Sequence, residues 1–296
     1  MNELERFREA GMISRRVKEE AYRIVREGAR ILEICETLED IIRREGAEPA
    51  FPCNIGVNEV AAHYTATLGD ISIIPPRSIV KVDVGVSLDG YIADTAITIV
   101  LDPKLEPLAE SARAALHEAI KAIKPGISTS KIGSIIHKTI TGMGFKPIRN
   151  LTGHEIKRYN LHAGLSIPNI PTRRGERLRE GHIYAIEPFS TTMRGAGEVV
   201  PTKTVAIFRI DSGTIFRKRL KDEEYRLAKL LAERFDSLPY TPRWIDGFDR
   251  FRRVHERMVR AGRIHGYPVL VERLGEPVAQ FEHTVYVSSS GCEILT

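Results

Sequence analysis

Asp83 and Asp94 lie eleven positions apart in one short stretch, KVDVGVSLDGYIADT, residues 81–95. The stretch reads as a β-hairpin, two apolar runs joined by Asp89-Gly90, a strong two-residue turn signal. With those two residues in the turn, Leu88 faces Tyr91, Asp83 faces Ala96 and Gly85 faces Asp94. Side chains alternate along a strand, so Asp83 and Asp94 share a face as diagonal neighbours. Gly85, opposite Asp94, should leave room beside them. Two buried carboxylates so placed repel each other and lose hydration. Either they share a proton or a cation sits between them.

The elements around them repeat. At an offset of 98, Gly28 falls on Gly126, Ile34 on Ile132, Ile42 on Ile140, Gly46 on Gly144 and Pro49 on Pro147. Both copies read as helix, glycine break, second helix, then Gly-x-x-Pro. At an offset of 104, SIVKVDV (78–84) falls on HIYAIEP (182–188), which sets Glu187 on Asp83. His63 and His162 correspond at an offset of 99. We therefore expect two related α/β halves facing each other across a shared sheet.

By the same logic Glu187 needs a partner strand bearing a carboxylate. The next candidate is AQFEHTVYV, with Glu282 inside it. The second hairpin thus holds a long insert with short strands, a helix starting near Lys221 and another from about Trp244 to Arg260. Residues 195–266 carry 16 Lys/Arg against 10 Asp/Glu, while the rest of the chain carries 28 against 29. The insert therefore holds the excess positive charge, which raises nucleic acid or ribosome contact as an added property.

Asp83, Asp94, Glu187 and Glu282 converge as two pairs, and His154 in LTGHEIKRYNLHAG lies beside them. Four carboxylates and one imidazole suit a pair of divalent ions such as Mn²⁺, Co²⁺, Fe²⁺ or Zn²⁺. Such pairs perform hydrolysis, with peptides or phosphoesters the obvious substrates.

Composition agrees with a soluble protein that has a well-packed core. The chain has 296 residues, 42% of them apolar, with a net charge of +5. Its apolar runs fall short of a membrane span and its N-terminus is polar, so a cytoplasmic protein is expected. Three scattered cysteines, Cys35, Cys53 and Cys292, argue against a disulfide framework and a zinc knuckle. One glutamine and 28% charged residues lean towards a thermophile. No long apolar stripe demands a dimer, so a monomer is expected.

The motifs HYTA (63–66), VKVDVGVSLDGYIADTA (80–96), LTGHEIKRYNLHAG (151–164), AIEPF (185–189) and QFEHT (280–284) resemble methionine aminopeptidase. The insert, and the lack of a long N-terminal extension, resemble the archaeal type 2 form. The resemblance spans essentially the whole chain. It implies the pseudo-two-fold "pita-bread" α/β fold, with residues 1–192 and 268–296 as the catalytic domain and 193–267 as a winged-helix-like insert. It implies two divalent metal ions held by Asp83, Asp94, His154, Glu187 and Glu282, with Asp94 and Glu282 bridging, and Glu187 as proton shuttle for a shared hydroxide. His63 and His162 would contact the scissile amide and stabilise the tetrahedral intermediate. Phe51, Leu161, Phe189 and Tyr267 lie where the family builds its methionine pocket. The substrate would be the N-terminal methionine of peptides and nascent chains, with a small second residue preferred. Rival readings are a proline-specific peptidase of the same fold and a non-enzymatic RNA- or ribosome-binding relative.

Overall fold

A computed structural model of the chain describes residues 2–296. The first half opens with α1 (Glu3–Ile24) and α2 (Ile31–Arg44). Asn2 caps α1 by accepting from Leu4 N, and Glu3 and Glu5 suit the positive end of the helix dipole. Ala10, Ile13, Val17 and Ala21 recur at helical spacing and are buried, which lays one face of α1 on the sheet. The sheet is β1 (Glu48–Val57), β3 (Ile79–Leu88) and β4 (Tyr91–Val100), with β3 central; β2 (Val60–Ala62) lies apart. The β3–β4 register is the expected one: Asp83 pairs Ala96, Gly85 pairs Asp94 and Leu88 pairs Tyr91. Asp89 and Gly90 both have positive φ, 53° and 84°, as the tight hairpin turn requires. A Cβ on Gly90 would lie 2.4 Å from the ring of Tyr159, so this glycine also permits close packing.

The second half repeats the pattern with α3 (Glu106–Ala122), α4 (Thr129–Gly142), β5 (Lys146–Pro147), β6 (Thr152–Ile156), β7 (Ser166–Pro168), β8 (Ile183–Ile186) and β9 (Phe189–Thr191). The repeat extends to individual hydrogen bonds. Gly28 N donates to Ile74 O at 2.8 Å, and Gly126 N to Leu178 O at 2.8 Å. Ile74 N returns to Ala29 O, and Leu178 N to Ile127 O, both at 2.9 Å. Gly46 and Gly144, each just past a second helix, both take the left-handed conformation that ends it, with φ of 78° and 84°.

Within the second half, after β9 and before the strands that close the chain, run β10 (Val199–Ile210), α5 (Asp222–Phe235), α6 (Arg252–Arg260) and β11 (Ile264–Glu272). β10 and β11 pair antiparallel, and β11 also pairs β2. A separate apolar cluster, including Leu227, Leu231, Tyr240, Trp244 and Met258, fills the space between this hairpin and the two helices. The second helix is shorter than expected. Pro242–Trp244 and Phe248–Arg250 are single 3₁₀ turns, and Gly247 at φ 64° breaks the path, so α-helix begins only at Arg252.

The chain closes with β12 (Val278–Gln280), β13 (His283–Val287) and β14 (Cys292–Ile294). AQFEHTVYV is therefore two strands, not one. β12 pairs β9 and β13 pairs β8 in a common register, and the ladder is broken at Phe281–Glu282. There Glu282 N donates instead to Ala96 O at 2.9 Å. This bridge is where the two halves meet, so the expected shared sheet is two sheets, β1-β3-β4 and β14-β13-β8-β6-β7, joined edge to edge. Thr95 and Thr98 reinforce the seam, donating to Glu282 O and Gln280 O. No helix among the described residues is long and apolar enough to cross a membrane.

Candidate metal centre

The seam between the two sheets sets the site. β3 supplies Asp83 and β4 supplies Asp94. β6 supplies His154, Glu187 follows β8 directly, and Glu282 occupies the break between β12 and β13. In the register shared by β8, β9, β12 and β13, Glu282 stands opposite Glu187, whereas Asp94 stands diagonal to Asp83. The two halves thus supply their carboxylate pairs with a two-residue stagger.

The groups converge closely. His154 Nε2 lies 3.5 Å from Asp94 Oδ2 and 3.6 Å from Glu187 Oε1. Asp94, His154 and Glu282 each present a donor atom within 4.8 Å of the others. Asp94 is 4% exposed and Glu282 2%. Asp83 Oδ1, Asp94 Oδ1 and Glu282 Oε1 are buried without a hydrogen-bond partner. Burial lifts the Asp94 carboxyl to about 7. Burial, then the neighbouring carboxylates, pushes Asp83, Glu187 and Glu282 well above the usual carboxylate range. Burial depresses His154 to about 4, so its imidazole is neutral and keeps a lone pair to donate.

Crowded carboxylates with unpartnered oxygens, beside a neutral imidazole, fit divalent cations. The oxygens gain the partners they lack, and the mutual repulsion is cancelled. The donor set holds no thiolate, which argues against a closed structural zinc site.

Above these groups is a cavity of about 220 Å³. All eleven residues singled out in the sequence line it: Phe51, His63, Asp83, Asp94, His154, Leu161, His162, Glu187, Phe189, Tyr267 and Glu282. His63 has a left-handed backbone, φ 66°, an uncommon conformation for a residue with a side chain. Its Nδ1–H donates to Pro268 O at 3.1 Å, and its ring meets Tyr267 edge-on at 5.5 Å. Burial holds His63 below its ordinary value, so Nε2 is a hydrogen-bond acceptor. His162 packs 4.4 Å from the ring of His154; the residue is exposed overall, and partial desolvation of its ring, then the neighbouring His154, holds it below its ordinary value.

One expectation needs correcting. The space over Gly85 is not open to ligands, because a Cβ there would lie 2.3 Å from the ring of Phe51. Phe51 faces Gly85 from β1, so the missing side chain admits this ring into the cavity wall. Sequence reasoning also missed Asn54, Ile207 and Pro239, which line the cavity. It missed as well the tie from Gln280 Nε2 to Glu282 Oε2 at 3.4 Å. A polar residue inside the apolar strand AFPCNIGV was the available signal for Asn54. Ile207 and Pro239 belong to the insert and carried none.

The description of metallopeptidase family M24 matches residues 5–289. The chain is 41% identical over 299 residues to a methionine aminopeptidase of Saccharolobus solfataricus, covering 100% of this chain and 98% of that one. Among solved structures, a thermophilic Arx1 superposes with a TM-score of 0.85 at 19% identity, over 99% of this chain and 90% of that one. The methionine aminopeptidase of Thermotoga maritima gives 0.71 at 24%, over 99% and 96%. At these identities the structural likenesses speak for the fold, which is the pita-bread α/β fold. The family match over nearly the whole length, together with a full-length relative above 40% identity, shows that the chain belongs to metallopeptidase family M24 and is a hydrolase.

Proposed function

We propose that the chain is a methionine aminopeptidase of the archaeal type 2 form, acting as a monomer in the cytoplasm. It removes the N-terminal methionine from peptides and nascent chains whose second residue is small. Residues 193–267 act as an inserted, winged-helix-like subdomain that completes the wall of the site. The observation that carries this reading is the placement of two buried carboxylates, Asp94 and Glu282, two partly buried ones, Asp83 and Glu187, and His154 at one end of a cavity whose other walls are largely apolar.

Two divalent ions held by Asp83, Asp94, His154, Glu187 and Glu282 would supply Lewis acidity and a water of lowered pKa. The remaining work falls to the chain. Phe51, Leu161 and Phe189 are buried in the wall and accommodate the thioether side chain. Tyr267 and Ile207 pair across β10–β11 and, with Pro239, close the side towards the insert, limiting the second residue. Such apolar slots discriminate by about 1–3 kcal/mol per methylene. His63 Nε2 accepts from the scissile amide N–H, because its Nδ1–H is held by Pro268 O. His162, neutral and open to the cavity, positions the substrate carbonyl. Glu187 carries the proton from water to the leaving amine, a task suited to a carboxyl with raised proton affinity.

The test is release of free methionine from Met-Ala-Ser and Met-Leu-Ser by metal-stripped protein titrated with Mn²⁺ or Co²⁺. The reading requires metal-dependent release, faster from Met-Ala-Ser. Folded protein that releases no methionine with either metal would refute it.

A further inference from the structure

Asn54 lies on β1 opposite Asp83 and is 6% exposed. In a regular strand Phe51 and Asn54, three apart, would face opposite sides. Here the β1–β3 register slips between them. Phe51 pairs Gly85 and Asn54 pairs Asp83, so three steps on β1 match two on β3. The irregularity turns both side chains into the same cavity. Bulges commonly re-aim a side chain in this way.

The amide orientation is fixed. Nδ2 donates to Pro52 O at 3.0 Å. The flipped amide would set two acceptors against each other with no proton between them. Oδ1 therefore points away from Pro52, and it is buried with no partner. A buried acceptor left open costs free energy unless something else completes it. What completes it must be a hydrogen-bond donor, and Asp83 across the pair, itself carrying an unpartnered acceptor oxygen, favours a group with more than one hydrogen to give. A neutral amide oxygen holds a divalent ion less strongly than the surrounding carboxylates do, yet accepts readily from N–H.

We infer that Asn54 Oδ1 receives the free α-amino group of the substrate and thereby positions the peptide N-terminus beside Asp83. The inference rests on the aminopeptidase reading above. It assigns part of the requirement for an unblocked N-terminus to Asn54, a residue on β1 outside the acidic strands. An N-acylated chain offers fewer hydrogens at this point and adds bulk against Phe51 and β1.

The experiment uses two inhibitors differing only in the amine, L-methioninol and 4-(methylthio)butan-1-ol. Inhibition constants are measured on the Mn²⁺-loaded full chain against Met-Ala-Ser, for wild type, Asn54→Leu and Asn54→Asp. Asn54→Leu should weaken methioninol about 10–150-fold, the size of a lost hydrogen bond to a charged group. It should leave the deaminated alcohol unchanged and raise KM for Met-Ala-Ser more than it lowers kcat. Asn54→Asp keeps an acceptor and should retain the preference for methioninol. Asn54→Ser, too short to reach, replaces the leucine variant if that variant melts early. Equal weakening of both inhibitors by Asn54→Leu would overturn the inference, because it would mean that Asn54 shapes the cavity or holds water. Unchanged methioninol binding, or a loss of Co²⁺ affinity read from its absorption spectrum, would overturn it too. Wild type that releases no methionine would instead refute the aminopeptidase reading itself.

Discussion

Glu39 and Glu282 are both buried glutamates, 1% and 2% exposed, and their surroundings are opposite. Glu39 accepts from Cys53 N at 3.1 Å, from Arg243 Nη1 and Nη2 at 2.5 and 2.7 Å, and from Trp244 Nε1 at 2.7 Å. Both its oxygens are satisfied by the chain itself, and the pair docks the insert against α2 and β1. Glu282 has one long contact from Gln280 and an oxygen with nothing. Glu272 follows the first pattern, accepting from Ala196, Leu274 and Glu276 N. Asp83 and Asp94 follow the second. The protein thus solves the burial of a carboxylate in two ways. Where the role is structural it supplies the donors, and where the carboxylates gather at the seam it leaves them to be completed by something that arrives from outside.

That contrast can be broken at either end. The largest effect is expected at the open end. Asp94→Ala should cut methionine release from Met-Ala-Ser by at least about 10³-fold while the protein stays folded by circular dichroism. Residual release within tenfold of wild type would mean that the cluster is not the centre of the chemistry. At the closed end, Glu39→Ala leaves Arg243 buried and uncompensated, which should cost about 3–5 kcal/mol in urea unfolding. A cost below about 1 kcal/mol would mean that the two buried carboxylates are not different in kind.

Smaller effects sharpen the comparison. His162→Ala should lower kcat about 100-fold with stability nearly unchanged. A matching loss of stability would make this histidine a core residue.

The smallest effect concerns pH. Asp94 has its folded value raised to about 7, above the ordinary unfolded value near 4. The native state therefore binds the extra proton, and this contribution to stability is lost as pH rises from about 4 through 7. Asp94→Asn removes that loss. In EDTA the variant should gain on wild type by about 1–3 kcal/mol between pH 5 and pH 8. Mn²⁺ should close or reverse the gap, because only wild type keeps the full ligand set. A gap independent of pH in EDTA would show that Asp94 does not carry the strain.

Much of this architecture was legible because local rules fix it. Asp89-Gly90 sets the hairpin register, and the register alone puts Asp83 and Asp94 on one face. Gly28, Gly46, Gly126 and Gly144 mark the repeat because each occupies a backbone conformation that glycine adopts without strain. What stayed hidden depends on partners distant in sequence. The break at Glu282 exists because its N–H bonds Ala96 O, and nothing in AQFEHTVYV signals that. The Glu39–Arg243 dock joins residues 204 positions apart. Asn54 enters the cavity through a slip in pairing with β3, which strand periodicity by itself denies.

The insert within the second hairpin also has a consequence in time. Asp83 and Asp94 are eleven residues apart and Glu187 and Glu282 ninety-five. Chain-closure entropy makes the second meeting about 2 kcal/mol costlier than the first if the intervening chain is loose. Pairing of β10 with β11 draws residues 199 and 272 together beforehand and removes most of that difference. Assembly of the protein should therefore be ordered. The N-terminal hairpin closes on its own, the insert folds around its own core, and only then do Glu187 and Glu282 come into register. The insert would in this way serve as a splint for the last step of folding as well as a wall of the finished cavity.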